Sequence, residues 1–287
     1  MKTLNLSPRD PDFIQNPYAA YARARADGPV LYWQDYGMLA AFDAATVQAL
    51  LRDRRLGREV PLDQRQPIPT HMTDFYALET HSMLELEPPT HTHLRGLVLR
   101  AFTSRRIAGL APEIERVAAD RLLGVPEDMW PDLLRWSNDM VAVYQAGRSR
   151  VTEDVANAAA AEFTAFLRDY VEQRRHDPRD DLITQLIVAE KNGETLSTDA
   201  LIGTCVLLLN AGHEATVHAL GNGVACLLAN NVPITTLAPD AIAATVEEIL
   251  RYDPPLHVFE RFAYEDIDLG DVTLKRGKKI ALVLGAV

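Results

Sequence analysis

The sequence predicts a mainly α-helical fold with small β-sheets, and three observations carry that prediction. Apolar residues recur at helical spacing through most of residues 90–230 and again through 239–252. Strand-like alternation is confined to short runs around residues 30–42 and in the tail over 267–284. No internal repeat or low-complexity tract points to a solenoid or an unfolded chain. With 287 residues, 47% of them hydrophobic, the chain has apolar side chains enough for a single domain, 1–287.

Charge narrows the function classes. Lys and Arg number 29 against 40 Asp and Glu, a net −11. Nucleic-acid binders normally carry a basic face, so no nucleic-acid partner is expected. Residues 1–10 contain no apolar core of signal-peptide length, and no uninterrupted apolar run approaches the span of a bilayer. A cytoplasmic protein without a membrane partner is the expectation.

Residues 16–27 read as the first helix, with Tyr18, Tyr21 and Ala22 on one face and Pro17 in its first turn. Val30-Leu31-Tyr32-Trp33 and Met38-Leu39-Ala40-Ala41-Phe42 flank Asp35-Tyr36-Gly37, a hairpin signal. Asp43 is placed to cap a helix running through Leu51. From Leu56 to Glu87 the periodicity breaks around Pro61, Pro67 and Pro69, which predicts a long loop, usually a functional feature in a compact domain. Helices follow over 90–101, 104–122, 126–146, 152–176, 180–191 and 197–230. Another over 239–252 precedes the strands of the tail, which alternate around Lys275-Arg276-Gly277.

The helix over 197–230 holds the most informative residues. In Leu207-Leu208-Leu209-Asn210-Ala211-Gly212-His213-Glu214-Ala215-Thr216, a glycine, a carboxylate and a hydroxyl interrupt an apolar pattern that would normally avoid all three. Gly212 and Thr216 are four apart and share a face, so the missing side chain beside the hydroxyl makes a notch for water or a small ligand. The plainer alternative is a back-bonding Thr and an exposed Glu on an ordinary helix. A zinc-protease pair fails on spacing, because His218 follows His213 by five residues rather than four.

Other groups are suggestive only in company. His91 and Arg95, four apart, form a cationic face, and arginine offers a fork for carboxylates; a solvated helix start after Pro88-Pro89 is the alternative. His91-Thr92-His93 makes a poor metal pair, since helical side chains two apart diverge. Glu248 and Arg251, at i and i+3, could pair on any helix.

Together these pieces resemble the cytochrome P-450 family, bacterial soluble haem-thiolate monooxygenases. Ala211-Gly212-His213-Glu214-Ala215-Thr216 resembles the distal oxygen-binding helix, and Glu248-Ile249-Leu250-Arg251 the family's Glu-x-x-Arg pair. Pro88-Pro89-Thr90-His91-Thr92-His93-Leu94-Arg95 looks like the start of the helix that reaches a haem propionate. Arg261, in Glu260-Arg261-Phe262-Ala263, stands where the family keeps another propionate-binding arginine. The order is the family's, and the resemblance runs over nearly the whole chain.

The resemblance implies a cytochrome P-450-like fold and a haem cofactor held by His91, Arg95, Ala211, Gly212 and Arg261. It implies Thr216 as the group that holds oxygen and an ordered water, and Glu214 as the proton relay. Ile68, Met72, Phe75, Tyr76, Leu208, Leu256, Val258 and Phe259 would line the substrate pocket. Glu248 and Arg251 would form an internal structural pair. The implied reaction inserts one oxygen atom into a small apolar substrate. Electrons would come from a separate ferredoxin or flavoprotein, since no flavin, nicotinamide or iron–sulfur motif is present.

Two departures bear on this. Relatives hold iron through a cysteine in a Phe-x-x-Gly loop after the Arg261 region, whereas this sequence reaches Leu284-Gly285-Ala286-Val287 while still in the preceding strand. Leu122 runs directly into Leu123 where relatives place a strand and a helix. The resemblance therefore implies an incomplete domain, shortened near 122–123 and truncated after 287. Cys205 and Cys226 both lie in apolar surroundings and outside that loop context. On one helix they would stand about 31 Å apart, far beyond disulfide reach. No metal set is expected from the protein's side chains. Two functions stay open: a haem-dependent monooxygenase, or a non-catalytic relic or protein-binding partner without iron.

Overall fold

The computed structural model describes residues 1–101, 124–191 and 194–287, except the side chains of Ala101, Glu127, Glu190, Lys191, Glu194, His213 and Glu214. The helix expected over 104–122 and the junction at 122–123 lie outside the described residues.

The chain opens with a short strand β1 (Thr3–Leu4) and a helix α1 (Pro11–Gln15), whose N–H groups at Asp12 and Phe13 donate to the Asp10 side chain. Helix α2 (Tyr18–Asp27) follows Pro17 and stops at Gly28. Strands β2 (Val30–Trp33) and β3 (Met38–Ala41) pair antiparallel as the hairpin signal requires, with Gly37 supplying φ 63° in the turn. Asp43 caps α3 (Ala44–Arg52) by accepting from the Thr46 N–H at 3.0 Å. After β4 (Leu56–Gly57), the expected long loop is interrupted by a helix, α4 (Thr73–Glu79). Its first N–H groups, at Asp74 and Phe75, donate to Asn157 Oδ1 at 2.8 and 3.0 Å. That cap comes from a residue 82–83 positions away, so local periodicity could not announce it.

Helix α5 (Thr90–Ala101) is followed by α6 (Trp130–Val141), α7 (Arg150–His176) and α8 (Leu182–Val188). Ser149 caps α7, accepting from Thr152 N–H, and Asp181 caps α8, accepting from Thr184 N–H. The hairpin β5 (Glu190–Lys191) and β6 (Glu194–Thr195) leads into α9 (Thr198–Ala229). Then come α10 (Ile242–Tyr252), β7 (Val258–Ala263), β8 (Ile267–Asp268), β9 (Thr273–Leu274) and β10 (Lys279–Val283).

Packing divides the chain into two compact units, Met1–Arg65 with Gly212–Val287, and Gln66–Ala211. The first is built on a six-stranded sheet of order β1-β2-β3-β10-β7-β4. Its central strand β10 runs parallel to β3 and antiparallel to β7, and after Lys279 reads Ile280-Ala281-Leu282-Val283, all apolar and buried. That composition suits a strand covered on both faces. Ile280 and Leu282 pack with Val47, Leu50 and Leu56, while Ala281 and Val283 pack with Tyr21, Ala24, Trp33 and Phe42.

The second unit is helical. Alanines 156, 159 and 160, Phe163, Leu167 and Val171 make one face of α7 its core, against which α4, α6 and α8 pack. Arg174 and Asp181 form a buried ion pair, Nε to Oδ2 at 2.7 Å, each side chain 4% exposed. Arg174 and the Tyr170 hydroxyl also donate to the Gly124 carbonyl.

Helix α9 has an 18-residue window of mean hydropathy 1.3, so by length and composition it could span a bilayer. A buried core helix has the same composition, and Leu201, Ile202, Cys205 and Val206 of α9 are core residues of the helical unit.

Candidate functional site

Helix α9 starts under Ser197, whose Oγ accepts from the Ala200 N–H. Residues 200–206 are buried, including Thr204, whose hydroxyl bonds back to the Ala200 carbonyl at 2.7 Å. Gly203 is needed there, because a Cβ would sit 2.9 Å from both the Cβ and the carbonyl oxygen of His81. From Leu207 the helix leaves the core. Asn210 is half-buried, with Oδ1 enclosed and without a partner among the described residues; Ala211, Gly212, Ala215 and Thr216 are exposed. A Cβ added at Gly212 would meet nothing within 4 Å.

Among the described residues the Thr216 hydroxyl makes no hydrogen bond, unlike Thr204 and Thr245, which both bond back along their helices. The back-bonded reading of Thr216 is therefore not what the structure shows. The notch is open and its hydroxyl is available. Glu214 lies on the same helix, but its side chain falls outside the described residues.

The cations expected to hold a cofactor belong to different units. His91 and Arg95 lie on α5 in the helical unit, half-buried and exposed respectively. Among the described residues neither side chain has a hydrogen-bond or ion-pair partner. Arg261 lies on β7 in the sheet unit, opposite Ile280 of β10, and is half-buried. Its guanidinium stands 4.3 Å from the Phe259 ring centroid, and Nη1 donates to the Glu260 carbonyl at 3.1 Å. Arg58, which the sequence reading did not select, stands 4.8 Å from the same centroid and donates to the same carbonyl at 3.2 Å.

The residues expected to line a substrate pocket divide. Met72 and Phe75 are buried in the core of the helical unit, and Tyr76 and Leu208 pack against it. Asn157 holds the start of α4 against α7, with Phe75 turned into the core. Ile68 and Leu256 are exposed, and Val258 packs beside the Tyr21–Trp33 cluster. Phe259 is half-buried beneath the two guanidiniums.

Glu248 and Arg251 pair through two contacts of 2.7 and 2.6 Å, but the side chains are 61% and 64% exposed, not internal. Only Ala241, Thr245 and Ile249 of this region turn partly inward, and Ile249 packs against Gly223. Both members of the pair are exposed among the described residues.

Neither cysteine suits an iron ligand, which must be a thiolate. Burial pushes the Cys205 thiol up to about 12, with Asp181 adding to the rise. Cys226 is half-buried, and burial followed by the Asp253 charge raises its thiol too. His91 and Arg95 in the helical unit and Arg261 in the sheet unit are each of the chemistry that holds a carboxylate, whereas neither cysteine offers a thiolate for iron.

No family model matches the sequence. The vitamin D(3) 25-hydroxylase of Pseudonocardia autotrophica is 35% identical over 96% of this chain and 74% of its own length. The cytochrome P-450 monooxygenase PikC of Streptomyces venezuelae is 30% identical over 98% of this chain and 73% of its own. Among solved structures, P-450 BioI with an acyl carrier protein bearing hexadec-9Z-enoic acid superposes with a TM-score of 0.87 at 29% identity. That match covers 96% of this chain and 78% of BioI. Sequence and fold agree on the class, a mainly helical haem-monooxygenase architecture. The chain belongs to the bacterial cytochrome P-450 family.

Proposed function

We propose that the chain carries the cofactor-clamping and proton-handling part of a haem-dependent monooxygenase that acts on a small apolar substrate with electrons from a separate ferredoxin or flavoprotein. Family membership supports the reaction class. The observation that carries the site is Gly212, open beyond its Cα, one helical turn from the unpartnered hydroxyl of Thr216. The neighbour solved with a hexadecenoic acid on its carrier supports an apolar substrate.

A bound haem would supply the activation of dioxygen. The chain's own residues do the rest. His91, Arg95 and Arg261 bind carboxylates and fix their orientation, arginine through a two-pronged fork. The gap at Gly212 admits water or a diatomic molecule, and the Thr216 hydroxyl hydrogen-bonds to what sits there. Glu214, two residues earlier, exchanges a proton between solvent and that water. Leu208, Leu256, Val258 and Phe259 offer the apolar surface a substrate requires. A second reading, a haem-free binding partner, is favoured by one observation: Cys205 is enclosed in the core of the helical unit, where burial raises its thiol.

Absorption of the purified 287-residue protein, supplemented with haem, reduced with dithionite and exposed to carbon monoxide, separates these readings. Haem uptake without a thiolate-type carbonyl band supports the clamp. No uptake favours the haem-free partner. A thiolate-type band overturns the assignment of both cysteines, and Cys205→Ser and Cys226→Ser would then identify the ligand.

A further inference from the structure

A groove of about 480 Å³ lies within the helical unit, and none of the residues expected to hold haem or to line the substrate pocket borders it. Its floor comes from α7, where Ala161 and Ala165, one helical turn apart, leave room that larger side chains would fill. Ala77 and Leu78 of α4 and Ile202 of α9 complete the apolar lining. Asn157 anchors one end by accepting from the Asp74 and Phe75 N–H groups. At the other end Arg168 Nη2 donates to Asp199 Oδ1 at 2.6 Å, which ties α7 to the first turn of α9. Helix α9 comes this close to His81, just after α4, because residue 203 is a glycine; a Cβ there would lie 2.9 Å from His81 Cβ. Asn157 and Arg168 stand about 16 Å apart along the axis of α7.

The charges along the groove do not balance. Asp199 has Arg168. Asp74 Oδ2 accepts from Asn157 Nδ2 at 2.9 Å, and that neutral amide orients the carboxylate without neutralising it. Asp169, next to Arg168, makes no hydrogen bond or ion pair among the described residues, and the half-buried Thr164 hydroxyl makes no hydrogen bond. Two carboxylates without a cation thus stand towards opposite ends of an apolar floor. A hydrocarbon chain covering that floor gains free energy with the area it hides from water, and an ammonium at each end would meet a charge-assisted acceptor. An anion would meet like charge at both ends.

We propose that the groove between α4, α7 and the first turn of α9 binds an aliphatic diamine in its diammonium form, with the hydrocarbon on Ala161 and Ala165 and the two nitrogens at Asp74 and Asp169. The site is complete within the helical unit and does not depend on bound haem.

The test titrates the purified protein with 1,8-diaminooctane, octylamine and octan-1-ol by calorimetry, with no haem added so that no amine can coordinate iron. Wild-type protein is compared with Asp74→Asn, Asp169→Asn and Ala165→Leu, each checked for folding by circular dichroism. Wild-type protein should prefer the diamine to octylamine by about threefold to fivefold, the scale of one exposed ion pair. Either Asp→Asn change should abolish that preference and leave octanol binding within about twofold. Asparagine keeps an oxygen for the Asn157 bond, so Asp74→Asn tests charge rather than the fold. Ala165→Leu, at an exposed helix position, should weaken all three compounds by about fivefold or more, because it fills the floor. No binding, no preference for the diamine, or a preference that survives both Asp→Asn changes overturns the proposal. So does binding that ignores Ala165→Leu, which would place the compounds on another apolar surface.

Discussion

Single residues decide how the distal helix could act on a proton. Thr216 is the only hydroxyl in residues 207–216, and it is exposed, so replacing it should cost little stability. In haem-loaded protein, Thr216→Val should shift the C–O stretching band of the carbonyl complex by removing a hydrogen bond from the notch. A band that ignores Thr216→Val but responds to Ala215→Thr would move the polar position one residue towards Glu214. Arg174 sets a different kind of limit. It is buried with Asp181, and breaking such a pair from one side leaves an uncompensated charge. Arg174→Leu should lower stability by roughly 3–5 kcal/mol in urea, far more than a surface arginine would. Replacing both partners with leucine should recover part of that loss, less the N-cap that Asp181 provides to Thr184.

At the scale of elements, what the sequence could disclose depended on whether the cause was local. Asp43 announced its helix start because an N-cap acts within three residues, and Asp35-Tyr36-Gly37 announced its hairpin because Gly37 must adopt positive φ. Helix α4 was hidden because Asn157, on another helix, caps it. Gly212, Thr216 and Arg261 were singled out as expected site residues by motif order. Arg58 was not, since only the pairing of β4 with β7 brings it near Phe259. The outward turn of Glu248 and Arg251 was equally hidden, because i, i+3 spacing says that two residues meet and not which way they face. Asn157→Ala should cost about 1 kcal/mol and raise amide exchange selectively in Thr73–Glu79. Uniform exchange through the helical unit would show that Asn157 matters for something broader than the cap.

Whole-molecule stability should respond to acid in two stages. Burial holds His257 below its ordinary value, against the opposing pull of Asp253, while Tyr18 and Tyr21 also pack on its ring. The unfolded chain, titrating near about 6.5, therefore takes up a proton that the folded chain refuses. Stability is full above that value and falls as pH drops below it. Asp199 beside Arg168, Asp53 beside Arg55 and Glu162 beside Arg135 are held below the ordinary carboxylate range. Their contribution is present above that range and disappears as pH falls through their folded values, so a second loss belongs below about pH 4. Urea midpoints measured from pH 8 to pH 3 should show both stages. His257→Gln should remove the first and spare the second; an unchanged slope between pH 6.5 and 5 would assign that stage to another group.

The later part of α9 carries a consequence for how the protein behaves in bulk solution. Val217, Leu220, Val224 and Leu228 recur every three or four residues along Thr198–Ala229 and are all exposed, Leu220 and Leu228 by 69% and 73%. Such a stripe is wetted at a free-energy cost that any excluded co-solute magnifies. Ammonium sulfate should therefore precipitate this acidic chain at lower concentration than its net charge of −11 alone would suggest. Replacing Leu220 and Leu228 with lysine should move the cloud point to higher salt even though it brings the net charge closer to zero. Charge and wettability would then act in opposite directions, and the turbidity curve would show which one governs solubility.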